Sequence, residues 1–186
     1  MQDAPGAAPV LLPDALHHPS PNQDERPPGS SINLLVIHNI SLPPGEFGGP
    51  WIDDLFLNRL NPKSHTFFNT IQDLRVSSHL LIRRDGELIQ YVPLDRRAWH
   101  AGSSSFRGQA CCNDFSIGVE LEGTDDQPYT EAQYETLSRT TREIMARYPT
   151  ITSERITGHS AIAPGRKTDP GPSFDWRHYL RMLHTS

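Results

Sequence analysis

Two histidines and an aspartate set the first question. His38 follows the apolar run Leu34-Leu35-Val36-Ile37, His159 closes the stretch Arg155-Ile156-Thr157-Gly158, and Asp169 sits in a loop rich in proline and glycine. Two imidazoles and one carboxylate leave one tetrahedral position of a zinc ion open to water, which is the donor set of a catalytic site. Their separation along the chain matches no ligand-spacing rule. On residue type and position alone, scattered histidines with local hydrogen bonds are the plainer reading.

Three further residues could act beside such a site. Glu120 lies in Ser116-Ile117-Gly118-Val119-Glu120-Leu121-Glu122, on the face of that segment opposite Val119. It is either a solvated side chain on a sheet face or a general base for a water held near a metal. Lys167, two residues before Asp169, is either surface solvation or a cation placed to stabilise an oxyanion. Arg166 could hold a substrate carboxylate in its planar fork.

Other chemistries fit poorly. The chain has no Gly-rich phosphate loop ending in Lys-Ser/Thr and no dinucleotide fingerprint after a strand. It has no G-x-S-x-G elbow and no H-E-x-x-H helix. Cys111 and Cys112 fit no spacing rule for a thiol nucleophile, and His17-His18 reads as a surface pair in a polar lead-in.

The chain must bring these residues together from distant places. Its 186 residues suffice for one domain with its own core. Acidic residues outnumber basic ones by 22 to 17, for a net charge of −5, which argues against a duplex nucleic-acid binder. No apolar run is long enough to span a membrane. The segment from Met1 to Gly6 lacks a basic lead, and Pro9 to Leu12 is too short for the apolar part of a signal peptide. Adjacent cysteines seldom pair, because the geometry is strained. Cys111 and Cys112 therefore read as reduced thiols, and a cytoplasmic location is expected.

Residues 1–30 read as an extended arm or loop, ahead of a single domain over 31–186. Leu34 to Ile37 reads as a buried strand with His38 at its end. Ser41 to Pro50 is a loop, and a short helix follows over Trp51 to Leu60. Leu80 to Arg84 and Glu87 to Val92 flank Asp85-Gly86, the signal for a hairpin with a two-residue turn. In Ser116 to Glu122, Ile117, Val119 and Leu121 share one face, and Gly118, Glu120 and Glu122 the other. Thr130 and Gln133 form a capping box for a helix that Pro149 ends. Ser173 is the expected cap of a last helix through Trp176, Tyr179, Leu180 and Leu183. Strands interspersed with helices predict an α/β or α+β domain around a central mixed sheet flanked by helices.

Five motifs occur in order: Ile37-His38-Asn39, Trp99-His100-Ala101-Gly102, Cys112 through Gly123, Thr157-Gly158-His159, and Pro164 through Gly171. Together they resemble the bacterial type-2 N-acetylmuramoyl-L-alanine amidases, a group similar in fold to peptidoglycan recognition proteins. The resemblance covers roughly residues 30–183, and within the group it is to the short cytoplasmic amidases that act on anhydro-muropeptides. It implies that His38, His159 and Asp169 bind Zn2+, that Glu120 orients or deprotonates the water, and that Lys167 stabilises the tetrahedral oxyanion. It also implies a substrate groove formed by Asn39, Arg75, Trp99, His100, Ala101, Gly102 and Arg166. Some relatives use Cys as the third ligand, where this chain has the harder carboxylate of Asp169.

The resemblance implies zinc-dependent cleavage of the amide between the lactyl group of 1,6-anhydro-N-acetylmuramic acid and L-alanine, in peptidoglycan recycling. The expected partners are soluble 1,6-anhydro-muropeptides. Nucleic acid and stable membrane association are not expected, and the chain is expected to act as a monomer. The alternatives are a general wall amidase and a non-catalytic peptidoglycan-binding protein.

Overall fold

The computed structural model describes residues 8–185, so the reading of Met1 to Gly6 lies outside the described residues. In chain order the strands are β1 (Leu16–His17), β2 (Gln23–Asp24), β3 (Leu34–Ile40), β4 (Leu80–Ile82), β5 (Leu88–Gln90), β6 (Arg97–Ala98), β7 (Ser105–Phe106), β8 (Gln109–Ala110), β9 (Ser116–Glu122) and β10 (Ile156–Gly158). The α-helices are α1 (Trp51–Phe56), α2 (Glu131–Arg147), α3 (His159–Ile162) and α4 (Trp176–His184).

Six strands form one mixed sheet in the order β1-β5-β4-β9-β3-β10. β4, β9, β3 and β10 run parallel, and β5 turns back antiparallel to β4. β9 and β3 are interior strands, and both of their faces are covered. Leu35, Ile37, Ile117, Val119 and Leu121 pack with Leu137 and Ile144 of α2 and with Tyr179 and Leu183 of α4. Each such aliphatic side chain contributes about 1.5–3 kcal/mol by leaving water. Across the sheet, Leu81 and Ile89 pack with α1 and with Phe68, while Leu34 and Val36 pack with Phe115 and Ile162. This is the expected α/β architecture of a central mixed sheet flanked by helices. Among the described residues no helix is long and apolar enough to cross a membrane.

Several local expectations change. β3 does not stop at His38 but continues through Asn39 to Ile40, because β9 pairs with it residue for residue to Glu122. The hairpin after Ile82 is closed by a three-residue loop. Arg83 N–H donates to Glu87 O, Gly86 N–H donates to Arg83 O, and Gly86 takes a φ of 89°. That is a turn followed by a left-handed glycine, which matches the strand twist as a two-residue primed turn does. α1 ends at Phe56 rather than Leu60. α2 has the full capping box on Thr130 and Gln133. α4 is capped by Asp175, whose carboxylate accepts from His178 N–H; Ser173 N–H is instead committed to Asp125 O.

The N-terminal segment lies along the sheet. β1 pairs with β5, and β2 pairs with β6. Arg26 reaches inward and donates to the carbonyls of Asn113, Asp114, Leu94 and Ser116. These are carbonyls at loop and strand ends that sheet hydrogen bonds leave open.

Candidate metal centre

Sheet register assembles the site. His38 of β3 lies opposite Glu120 of β9, and Gly158 of β10 lies opposite Ile37. His159 is the next residue and opens α3, so it stands at the end of β10 beside His38 and Glu120 on the two neighbouring strands. Strand alternation turns His38 and Glu120 to the face away from α2 and α4.

Asp169 arrives on a loop held at several points. Ser160 N–H donates to Asp169 O at 3.0 Å. Pro170 O accepts from Tyr129 Oη at 2.7 Å and from Asn39 Nδ2 at 3.1 Å. The same Asn39 amide donates to Asp125 Oδ1 at 2.8 Å. Pro170 lies so close to β10 that a Cβ on Gly158 would come within 2.7 Å of its ring. Glycine at position 158 is therefore required by this close approach.

His38 Nδ1, His159 Nδ1 and Asp169 Oδ2 form a triangle with every edge 3.0 Å. Hydrogen bonds alone cannot account for it. Three contacts need three protons, yet the carboxylate brings none and each Nδ1 brings at most one. If both nitrogens were protonated, they would oppose each other as donors. A shared cation satisfies all three lone pairs at once. Zinc ligands at about 2.0–2.1 Å in tetrahedral array lie roughly 3.3 Å apart, so a small contraction of the coordinated shell separates the two geometries. Borderline imidazoles with one hard carboxylate suit zinc.

The electrostatics agree. Burial lowers His38 to a pKa of about 4, against an upward pull from Asp169 beside it, so its imidazole is neutral. Burial works upward on Asp169, but its close contacts with His159 and His38 hold it below the ordinary carboxylate range. Glu120 is only 9% exposed. Burial, then the charge of Asp169, raises its pKa well above the usual value, while Lys167 pulls it down. Glu120 Oε2 is buried without a hydrogen-bond partner. The solvated-face reading of Glu120 therefore fails, because loops and α1 cover that face of the sheet.

The cluster opens into a cavity of about 300 Å³. His38, His159, Asp169, Glu120 and Lys167 line its polar side, and Leu55, Phe67, Ile71, Leu74, Val76 and Trp99 its apolar side. The other expected groove residues separate into distinct settings. Trp99, His100 and Asn39 line the cavity, but Asn39 spends its amide on Asp125 and Pro170. Ala101 is buried, and its carbonyl accepts from His159 Nε2 at 3.1 Å and from Arg166 at 2.6 Å. Arg166 also binds Ser103 O at 2.7 Å, so its fork braces the exposed 102–104 turn. Gly102 has a φ of 57° there. Arg75 is exposed and donates to Gln72 O and Leu74 O of its own loop; it does not line the cavity.

Sequence reasoning missed Tyr129 and Asp125, which fasten the Asp169 loop, and Ser116, which binds the His100 ring. Ser116 shares the strand face of Gly118 and Glu120, so period-two alternation could have found it. Tyr129 and Asp125 carry no comparable signal.

Comparison with known proteins gives one family. A family model described as N-acetylmuramoyl-L-alanine amidase matches residues 28–172. The chain is 61% identical over 175 residues to the 1,6-anhydro-N-acetylmuramyl-L-alanine amidase AmpD of Enterobacter cloacae, covering 94% of this chain and 93% of that one. It superposes on a crystal structure of a selenomethionine AmpD derivative with a TM-score of 0.91 and 58% identity, covering 93% of this chain and 96% of that one. It also resembles the Escherichia coli amidase AmiD bound to its substrate, anhydro-N-acetylmuramic acid-L-Ala-D-γ-Glu-L-Lys. That TM-score is 0.61 at 32% identity, over 85% of this chain and 60% of AmiD.

Proposed function

The chain belongs to the N-acetylmuramoyl-L-alanine amidase family, and on that premise we propose the roles of its residues in hydrolysing 1,6-anhydro-muropeptides. The enzyme is a zinc amidase that cleaves the amide between the lactyl group of 1,6-anhydro-N-acetylmuramic acid and L-alanine. The observation that carries this reading is the 3.0 Å triangle of His38, His159 and Asp169 beside a buried carboxylate with one unpartnered oxygen.

His38, His159 and Asp169 hold the ion. Zinc, when bound, acts as a Lewis acid towards the amide carbonyl and activates water. Glu120 accepts the proton that the attacking water gives up. It then passes that proton to the alanine nitrogen as the carbon–nitrogen bond breaks, so the products are a free lactyl carboxylate and a free peptide amine. Lys167, on the rim of the same cavity, places its ammonium against the oxyanion. Trp99 offers an apolar wall to the sugar, and Asn39, Ala101, Gly102 and Arg166 frame the loops around it.

We assign the catalytic domain to residues 31–186, with the described part of the preceding segment as an arm across it. Arg26 ties that arm to β9 and its approach. The reaction is placed in the cytoplasm, in keeping with the free thiols of Cys111 and Cys112.

The test is mass-spectrometric cleavage with zinc-loaded and metal-stripped protein. The substrates are anhydro-muramyl tripeptide, its reducing counterpart and intact sacculus. Zinc-dependent release of tripeptide, much faster from the anhydro form, is the expected result. Comparable cleavage of sacculus would move the function to a general wall amidase. Tight binding without cleavage would leave only a recognition role.

A further inference from the structure

We propose that His100 is a positioning residue of the metal centre. It fixes His38 as the tautomer protonated on Nε2, which leaves the Nδ1 lone pair for the ion. The inference rests on the reading of His38, His159 and Asp169 as zinc ligands.

The direction of each hydrogen bond follows from one carbonyl. Ser116 Oγ contacts two groups, Cys112 O and His100 Nε2, the latter at 3.1 Å. A carbonyl can only accept, so the hydroxyl proton points to Cys112 O. Ser116 Oγ then accepts from His100 Nε2–H. His100 Nδ1 is left with its lone pair, 2.9 Å from His38 Nε2, and accepts the proton there. His38 Nδ1 carries none and faces His159 and Asp169. His159 reaches the same state more simply, by donating Nε2–H to Ala101 O at 3.1 Å.

Packing fixes the His100 ring as well. Its plane crosses that of His38 at 86°, with centroids 5.0 Å apart. A Cβ on Gly118 would lie 2.5 Å from His100 Cγ and 2.6 Å from its Nδ1. Gly118 N–H donates to His79 Nδ1 at 3.0 Å, and the His79 ring stands 5.7 Å behind that of His100. The bare face of β9 at Gly118 is therefore the seat of the ring. Both His100 nitrogens are engaged inside the protein, which leaves neither for a substrate. A partner that sets the tautomer of a ligating histidine typically accounts for 10–100-fold in metal affinity.

The experiment measures zinc affinity by chelator competition for the wild type and for His100→Leu, His100→Gln and Gly118→Ala. Imidazole 15N NMR of the zinc-loaded wild type accompanies it. His100→Leu should bind zinc about 10–100-fold more weakly. His100→Gln should recover most of the loss, because its amide both accepts and donates. Gly118→Ala should weaken zinc by displacing the ring while keeping every polar group. In the NMR spectrum His38 and His100 should both carry their proton on Nε2. A His100→Leu protein that binds zinc as tightly as the wild type overturns the proposal, as does a His100 protonated on Nδ1. The NMR result decides if the variants do not fold. A wild type without stoichiometric zinc overturns the underlying metal reading, and is recognised as such because it needs no variant.

Discussion

Replacing Glu120 by Gln should lower turnover and raise the stability of the metal-free protein. Gln keeps the size and shape of the side chain but cannot take a proton from water. A positioned general base contributes about 10²–10⁴ in rate, which is roughly 3–5.5 kcal/mol of activation free energy. Zinc content should not change, since Glu120 is outside the ligand triangle. Stability moves the other way. Burial and the Asp169 charge raise the folded pKa of Glu120 above its unfolded value, which is about 4.3. Between those two values the native state holds a proton that the unfolded chain has released, so stability falls as pH rises through that window. Below the unfolded value both states are protonated, and Glu and Gln behave alike. Gln leaves an equally unpartnered polar atom in place of Glu120 Oε2, so the gain comes only from removing the buried charge. Relief of about 1 kcal/mol raises Tm by roughly 2–4 °C for a chain of this size. The assay pairs kcat for tripeptide release with calorimetric Tm of the metal-free wild type and variant, at pH 4 and at pH 7.5. The Tm difference should be near zero at pH 4 and positive at pH 7.5. Near-normal kcat would refute the base assignment. A variant less stable than the wild type at pH 7.5 would refute the claim that the carboxylate is held there under strain.

Asp169→Ala should bind zinc more weakly than any outer-sphere variant, with a loss beyond the 10–100-fold typical of second-layer partners. Atomic absorption after dialysis checks this, and full zinc occupancy would remove Asp169 from the ligand set. Arg83→Met should destabilise the fold by about 3–5 kcal/mol, because it leaves buried Glu122 and half-buried Asp53 without their shared cation. Urea unfolding reads that loss, and a change under about 1 kcal/mol would show that the carboxylates find other partners.

Much of the site was legible in the sequence because β9 alternates so cleanly. Ile117, Val119 and Leu121 marked one face, and the other had to carry Glu120. Alternation alone could not say that this second face is also buried. That depends on α1 and the loops around Phe67 and Phe68, which lie far off in sequence and show no regular period. The end of β3 was misplaced for a related reason. His38 and Asn39 are polar, and a polar pair reads as an exit from a buried strand. The ladder with β9 holds them in the sheet, and each finds a polar partner there. The hairpin signal at Asp85-Gly86 gave the right turn in the wrong register. α2 packs over it, with Thr130 Oγ1 on Arg84 O and Thr136 Oγ1 on Gly86 O, and those contacts favour the longer loop. Ser173 is not the cap because α4 starts only at Trp176, where Asp175 supplies the capping carboxylate.

The residues that sequence reasoning passed over share one property. Ser116, Tyr129 and Asp125 each act on another side chain or loop, and none faces the cavity as a reacting group. Their roles follow from the direction of hydrogen bonds, and that direction is set only when register brings donor and acceptor together. His100 shows the consequence. Its position between Trp99 and Ala101 in a recognisable motif suggested a substrate contact. Its two nitrogens, read with Ser116 and His38, instead close a chain from the Cys112 carbonyl to the metal ligand. A motif thus identifies which residues belong to a site, while the proton inventory of the folded state determines which of them are left free to meet the substrate.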